Sequence, residues 1–84
     1  MRIDFKILNR TEKIVAPGQP CIIFNLVARI STPTIRNFTY PMTVRYIDGM
    51  VTHDKEKLAR ELPAGPLRSA LIVSMKSFVK SQVE

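Results

Sequence analysis

From Met1 to Leu8 the chain alternates: Met1, Ile3, Phe5 and Ile7 share one side, and Arg2, Asp4, Lys6 and Leu8 the other. A period of two predicts a half-buried strand. The period then lapses. Residues 9–20 are mostly polar and contain Ala16-Pro17-Gly18-Gln19-Pro20, whose Pro-Gly pair suits the centre of a type II turn. This stretch reads as a loop with a short extended piece at Ile14-Val15.

Alternation resumes from Cys21 to Ser31. One parity carries Ile22, Phe24, Leu26, Ala28 and Ile30, the other Cys21, Ile23, Asn25, Val27 and Arg29. The second face is mixed, so this is expected to be a central strand, partly covered on both sides. After a polar tip over residues 32–37, Phe38 to Ile47 places Phe38, Tyr40, Met42, Val44 and Tyr46 opposite Thr39, Pro41, Thr43, Arg45 and Ile47. Pro41 has no N–H for a ladder, which predicts an edge strand. Asp48-Gly49 signals a hairpin, with Met50-Val51 adding a short fourth strand.

From Thr52 the period changes to that of helices. Thr52 or Asp54 is positioned to cap a short helix ending at Leu62, with Leu58 and Leu62 inward. Glu56–Arg60 and Lys57–Glu61 are spaced for i,i+4 pairing. Pro66 suits the first turn of a final helix reaching about Val83. Its stripe of Leu67, Ala70, Leu71, Ser74, Met75 and Phe78 should face the sheet, which leaves Ile72, Val79 and Val83 to one side, either packed against the short helix at Leu58 and Leu62 or free as a partner surface. The expected architecture is α+β: a three- to four-stranded, mainly antiparallel sheet over residues 1–51, then two helices on one face over 52–84, as a single domain.

Charge adds direction to this picture. Thirteen Lys and Arg oppose seven Asp and Glu, a formal net charge of +6. Up to residue 45 there are seven basic residues and two acids, for +5; from 46 onward six basic residues and five acids, for +1. On the strand assignments above, Arg2, Lys6, Arg29 and Arg45 all share the parity opposite the core, with Arg36 at the loop tip. Such a face is expected to engage an anionic partner through phosphate or carboxylate contacts, with nucleic acid or a nucleoprotein complex first among them. The strand aromatics Phe5, Phe24, Phe38, Tyr40 and Tyr46 fall on the core parity, so the basic face lacks a platform for stacking unpaired bases.

Chemistry beyond binding is not encoded in any recognisable pattern. One histidine, His53, and one cysteine, Cys21, lie far apart, and Cys21 reads as a packing residue and His53 as part of a turn or cap. A lone His, a lone Cys and scattered acids do not form a zinc set, and three isolated glycines do not make a phosphate-cradling loop. No cofactor, metal or catalytic residue is therefore expected. The lone cysteine and the lack of a long apolar run suggest a cytoplasmic protein with no membrane association. A second reading is an inhibitor or adaptor that binds an acidic protein surface, or a homodimer, through the edge strand or the Ile72, Val79, Val83 stripe. In size and charge the chain has the general character of compact regulators carried by phages and plasmids.

Overall fold

The computed structural model describes residues 2–34 and 38–83, with Val15 described by its backbone alone. The element order is β1 (Arg2–Ala16), β2 (Gln19–Ser31), β3 (Phe38–Ile47), β4 (Met50–His53), α1 (Lys55–Glu61) and α2 (Pro66–Val83). The strands form one antiparallel sheet in the order β1-β2-β3-β4, with both helices after the strands, as expected for this α+β class.

The loop expected over residues 9–20 is instead the far half of a long β1–β2 hairpin. Arg10 pairs with Phe24, Glu12 with Ile22 and Ile14 with Pro20. The alternation is hidden because the register steps between Ile7 and Asn9, so Leu8 is an extra residue without a β2 partner. A bulge of this kind reverses which parity faces the core. Ile3, Phe5 and Ile7 pack inward before it, and Arg10, Glu12 and Ile14 lie on that same face after it. The tight turn falls at Pro17-Gly18, with Gly18 at φ +73°, as the second central position of a type II turn requires.

At the β3–β4 turn, Asp48 and Gly49 adopt φ +50° and +76°, the mirror-image turn whose twist matches two antiparallel strands. Gln19 Nε2 donates to Asp48 Oδ2 at 2.7 Å and ties the two hairpin turns together at one end of the sheet. The strand containing Pro41 is not an outermost strand, since β4 flanks it. However, β4 pairs only with Val44–Ile47, so the half of β3 that holds Pro41 has a free edge. The two-residue turn makes Ile47 and Met50 a hydrogen-bonded pair, and every second residue back from Ile47 points its backbone the same way. Pro41 thus turns its missing N–H to the free edge, where no ladder bond is lost.

The helices cover one face. Phe24, Leu26, Ala28 and Ile30 of β2 and Tyr40, Met42 and Val44 of β3 are buried against Leu58 and Leu62 of α1 and Leu71, Met75 and Val79 of α2. Asp54 caps α1, its carboxylate accepting from the Lys57 N–H at 3.0 Å. Neither expected i,i+4 pair is among the ion pairs of the described residues, Arg2–Asp4 and Arg10–Glu12. Lys57 and Glu61 both serve Tyr40 instead. The ammonium sits 5.9 Å from the ring centre, and the carboxylate lies near the hydroxyl. Burial and that carboxylate push the Tyr40 phenol up to about 12. α2 starts at Pro66 as expected, and Arg68 Nη1 donates to the Leu62 carbonyl at 3.2 Å, closing the C-terminal end of α1.

Of the two readings of the α2 side stripe, this packing fits burial beside α1 and corrects the partner surface. Val79 is fully buried in the core, and Ile72 and Val83 pack against it. The inward face is rotated from the Leu67–Phe78 stripe toward Ile72 and Val79, because α1 and β4 supply a second wall on that flank. In the folded chain this stripe is therefore not a spare surface for a partner or a second copy. The outward face of α2 instead carries Val73, which is exposed.

Candidate nucleic-acid interface

Among the described residues no layer covers the second face of the sheet, and the strand register fixes its side chains in rows. The first row holds Lys13, Cys21, Ile47 and Met50; the next holds Thr11, Ile23, Arg45 and Thr52. Then follow Asn9, Asn25 and Thr43; Lys6, Val27 and Pro41; Asp4, Arg29 and Thr39; and finally Arg2 and Ser31. Arg2, Lys6, Arg29 and Arg45 thus share one face. Arg36 lies outside the described residues. Lys13 joins the face because the bulge at Leu8 turns it outward, which the loop assignment of residues 9–20 concealed.

These cations do not form one patch. Arg2, Lys6 and Arg29 gather at one end, Lys13 and Arg45 toward the other. Lys6 stands opposite Val27 and Arg45 opposite Ile23, four β2 residues apart, or about 13 Å at the rise of a strand. Arg29 and Arg45 are six residues apart on the same scale, about 20 Å. The gap is filled by an uncharged ladder across three strands. Thr43 Oγ1 donates to Asn25 Oδ1 at 2.8 Å, and Asn25 Nδ2 donates to Asn9 Oδ1 at 2.6 Å.

Among the strand residues of this face there is one acid, Asp4. Its carboxylate meets Arg2 Nε at 3.0 Å and stands opposite Arg29 in the register. Both groups of this ion pair are exposed, so it contributes little to stability while holding Arg2 in place. Arg10, by contrast, belongs to the helical side. Its guanidinium lies 5.3 Å from the Phe24 ring centre and pairs with Glu12 at 3.2 Å, covering the end of the core. The strand aromatics remain on the covered face, with Phe5 stacked on Phe78 at 5.2 Å between ring centres.

His53 is the last residue of β4, and the cap role belongs to Asp54. Both ring nitrogens are shielded from solvent and lack a hydrogen-bond partner among the described residues. Burial, then Lys76 and Lys55, hold its pKa below the usual 6.5. Cys21 is a buried free thiol. Among the described residues no three His, Cys, Asp or Glu side chains come together as a metal set, and no helix is long and apolar enough to cross a membrane. No known protein family, curated protein or solved structure matches the chain.

Proposed function

We propose that this is a non-enzymatic binding protein whose uncovered sheet face docks on double-stranded nucleic acid. One observation carries the reading: two basic groups flank an uncharged polar ladder on the one sheet face left without a layer. With two strand spacings across the sheet added to the rise along it, the nearest members, Lys6 and Arg45, are about 16 Å apart and Arg29 and Arg45 about 20 Å, enough to reach phosphates on both sides of a duplex major groove roughly 12 Å wide. Lys6 and Arg29 would meet phosphates of one strand and Arg45 and Lys13 those of the other, with Arg2 held by Asp4 beside the first group, while Asn9, Asn25 and Thr43 face the groove between. Phosphate contacts set position and most of the affinity, so weak sequence preference is expected. The lack of aromatics on this face favours duplex over single strands.

The test is fluorescence anisotropy with a short labelled duplex and its single strands, at low and at moderate salt. Duplex binding that weakens steeply with salt supports the reading; no binding to any nucleic acid at low salt refutes it.

A protein-binding reading is favoured by a different observation, the free edge of β3. There Thr39 and Thr43 offer N–H and C=O groups, and Pro41 a carbonyl alone. The edge borders a cleft of about 260 Å³ lined by Tyr40, Met42, Asp54, Lys57 and Leu58. An added strand could pair there, at the cost of one missing bond. Light scattering of the free protein tests the homodimer form of this reading; a monomeric mass at high concentration removes it.

A further inference from the structure

A second cationic site lies on the helical side, away from the open sheet face. Between β4, α1 and α2 is a cleft of about 420 Å³ lined by His53, Lys55, Leu58, Ala59, Arg68, Ile72 and Lys76. Three cationic side chains from two helices converge on it, and no acid among the described residues lines it. Leu58 and Ile72 give it an apolar floor, and His53 lines it with neither ring nitrogen partnered among the described residues. Three cations around a partly buried ring leave a positive potential in the cleft, which favours an anion there. We propose that this cleft binds the phosphate group of a small organic monoester, with Lys55, Lys76 and Arg68 around the phosphate and the organic body on Leu58, Ala59 and Ile72. Arg68 would contribute charge while its Nη1 stays on the Leu62 carbonyl. The inference does not rest on the nucleic-acid reading, which uses other residues.

The lone histidine supplies the readout. The charged groups that face or neighbour it are Lys55 and Lys57 of α1, Lys76 and Arg68 of α2, Arg45 of β3 and Asp54. In the free protein the two ammonium groups and burial keep the ring below 6.5. A bound phosphate offsets the ammonium groups, so the ring becomes easier to protonate and its pKa rises. This is followed by NMR titration of the His53 Cε1–H signal, unambiguous in a chain with one histidine. Inorganic phosphate and phenyl phosphate are the probes, and sodium chloride at matched ionic strength is the control. Both probes should raise the His53 pKa beyond the chloride control. Phenyl phosphate should bind roughly tenfold tighter, as expected from removing about 50 Å² of ring surface from water. In K55Q/K76Q, which changes two exposed side chains, the resting pKa should move up toward 6.5 and the response to phosphate should vanish. A His53 signal that responds to phosphate no more than to chloride overturns the site, as does an equal response in K55Q/K76Q. A phenyl ester no tighter than inorganic phosphate overturns the role given to the apolar floor.

Discussion

Asp4→Asn should make the protein bind duplex more tightly and with a steeper dependence on salt. Asp4 is the one acid among the strand residues of the open face; it holds Arg2 at 3.0 Å and stands opposite Arg29. With Arg2 so engaged, four cations are free to meet phosphates: Lys6, Lys13, Arg29 and Arg45. Each phosphate contact contributes a slope of about −0.9 in log K against log salt, so the wild type should show about −3.6. Releasing Arg2 adds one contact and takes the slope to about −4.5. From about 50 to 200 mM salt, the wild type should lose roughly 150-fold in affinity and the variant roughly 500-fold. At about 100 mM salt the variant should bind roughly eightfold tighter. The fold should be unaffected, because an exposed ion pair contributes about 0–1 kcal/mol. Anisotropy titrations across a salt series measure slope and affinity together. A variant with unchanged slope, or one that binds less tightly, would refute the assignment of this face.

Three further outcomes follow from the packing and the turns. Val79→Ala removes two buried methyl groups from the core and should cost about 2 kcal/mol, read from the urea midpoint; a cost near zero would return Val79 to the surface. Gly49→Ala should destabilise by about 1 kcal/mol through backbone conformation alone, since φ is +76° and an added Cβ would meet nothing within 4 Å. His53 takes up a proton less readily in the fold than in the unfolded chain, where its pKa is 6.5. Stability should therefore be fully present above that value and fall as pH drops below it toward the folded pKa. In His53→Gln this part of the pH profile should be missing from denaturant melts.

Most of the fold is legible where apolar periodicity is unbroken. β2 and β3 show their inward residues by parity, Asp48-Gly49 and Pro17-Gly18 mark both hairpin turns, and Asp54 and Pro66 mark the helix starts. The far half of β1 is not legible. Asn9, Arg10, Thr11, Glu12 and Lys13 have no apolar alternation, and they are strand because β2 offers a partner ladder, a tertiary cause that local pattern does not carry. The open-face residues were readable one by one, but their division into two groups depends on cross-strand register. The sequence leaves two places for the α2 side stripe because helical spacing defines one apolar arc, and only the position of α1 shows how wide that arc must be. The cationic cleft is built from residues 53, 55, 68 and 76, whose spacing has no local signature.

The bulge at Leu8 also bears on what the chain can lose. Removing one residue from a strand normally turns every later side chain to the wrong face. Here the removal of Leu8, an exposed residue with no partner on β2, would join Ile7 directly to Asn9 and leave every other β1 residue facing as it does now. β1 thus has a position where a one-residue deletion preserves the pattern and an insertion elsewhere does not. Length variation in this strand should concentrate there and at the second register step, between Ile14 and Ala16.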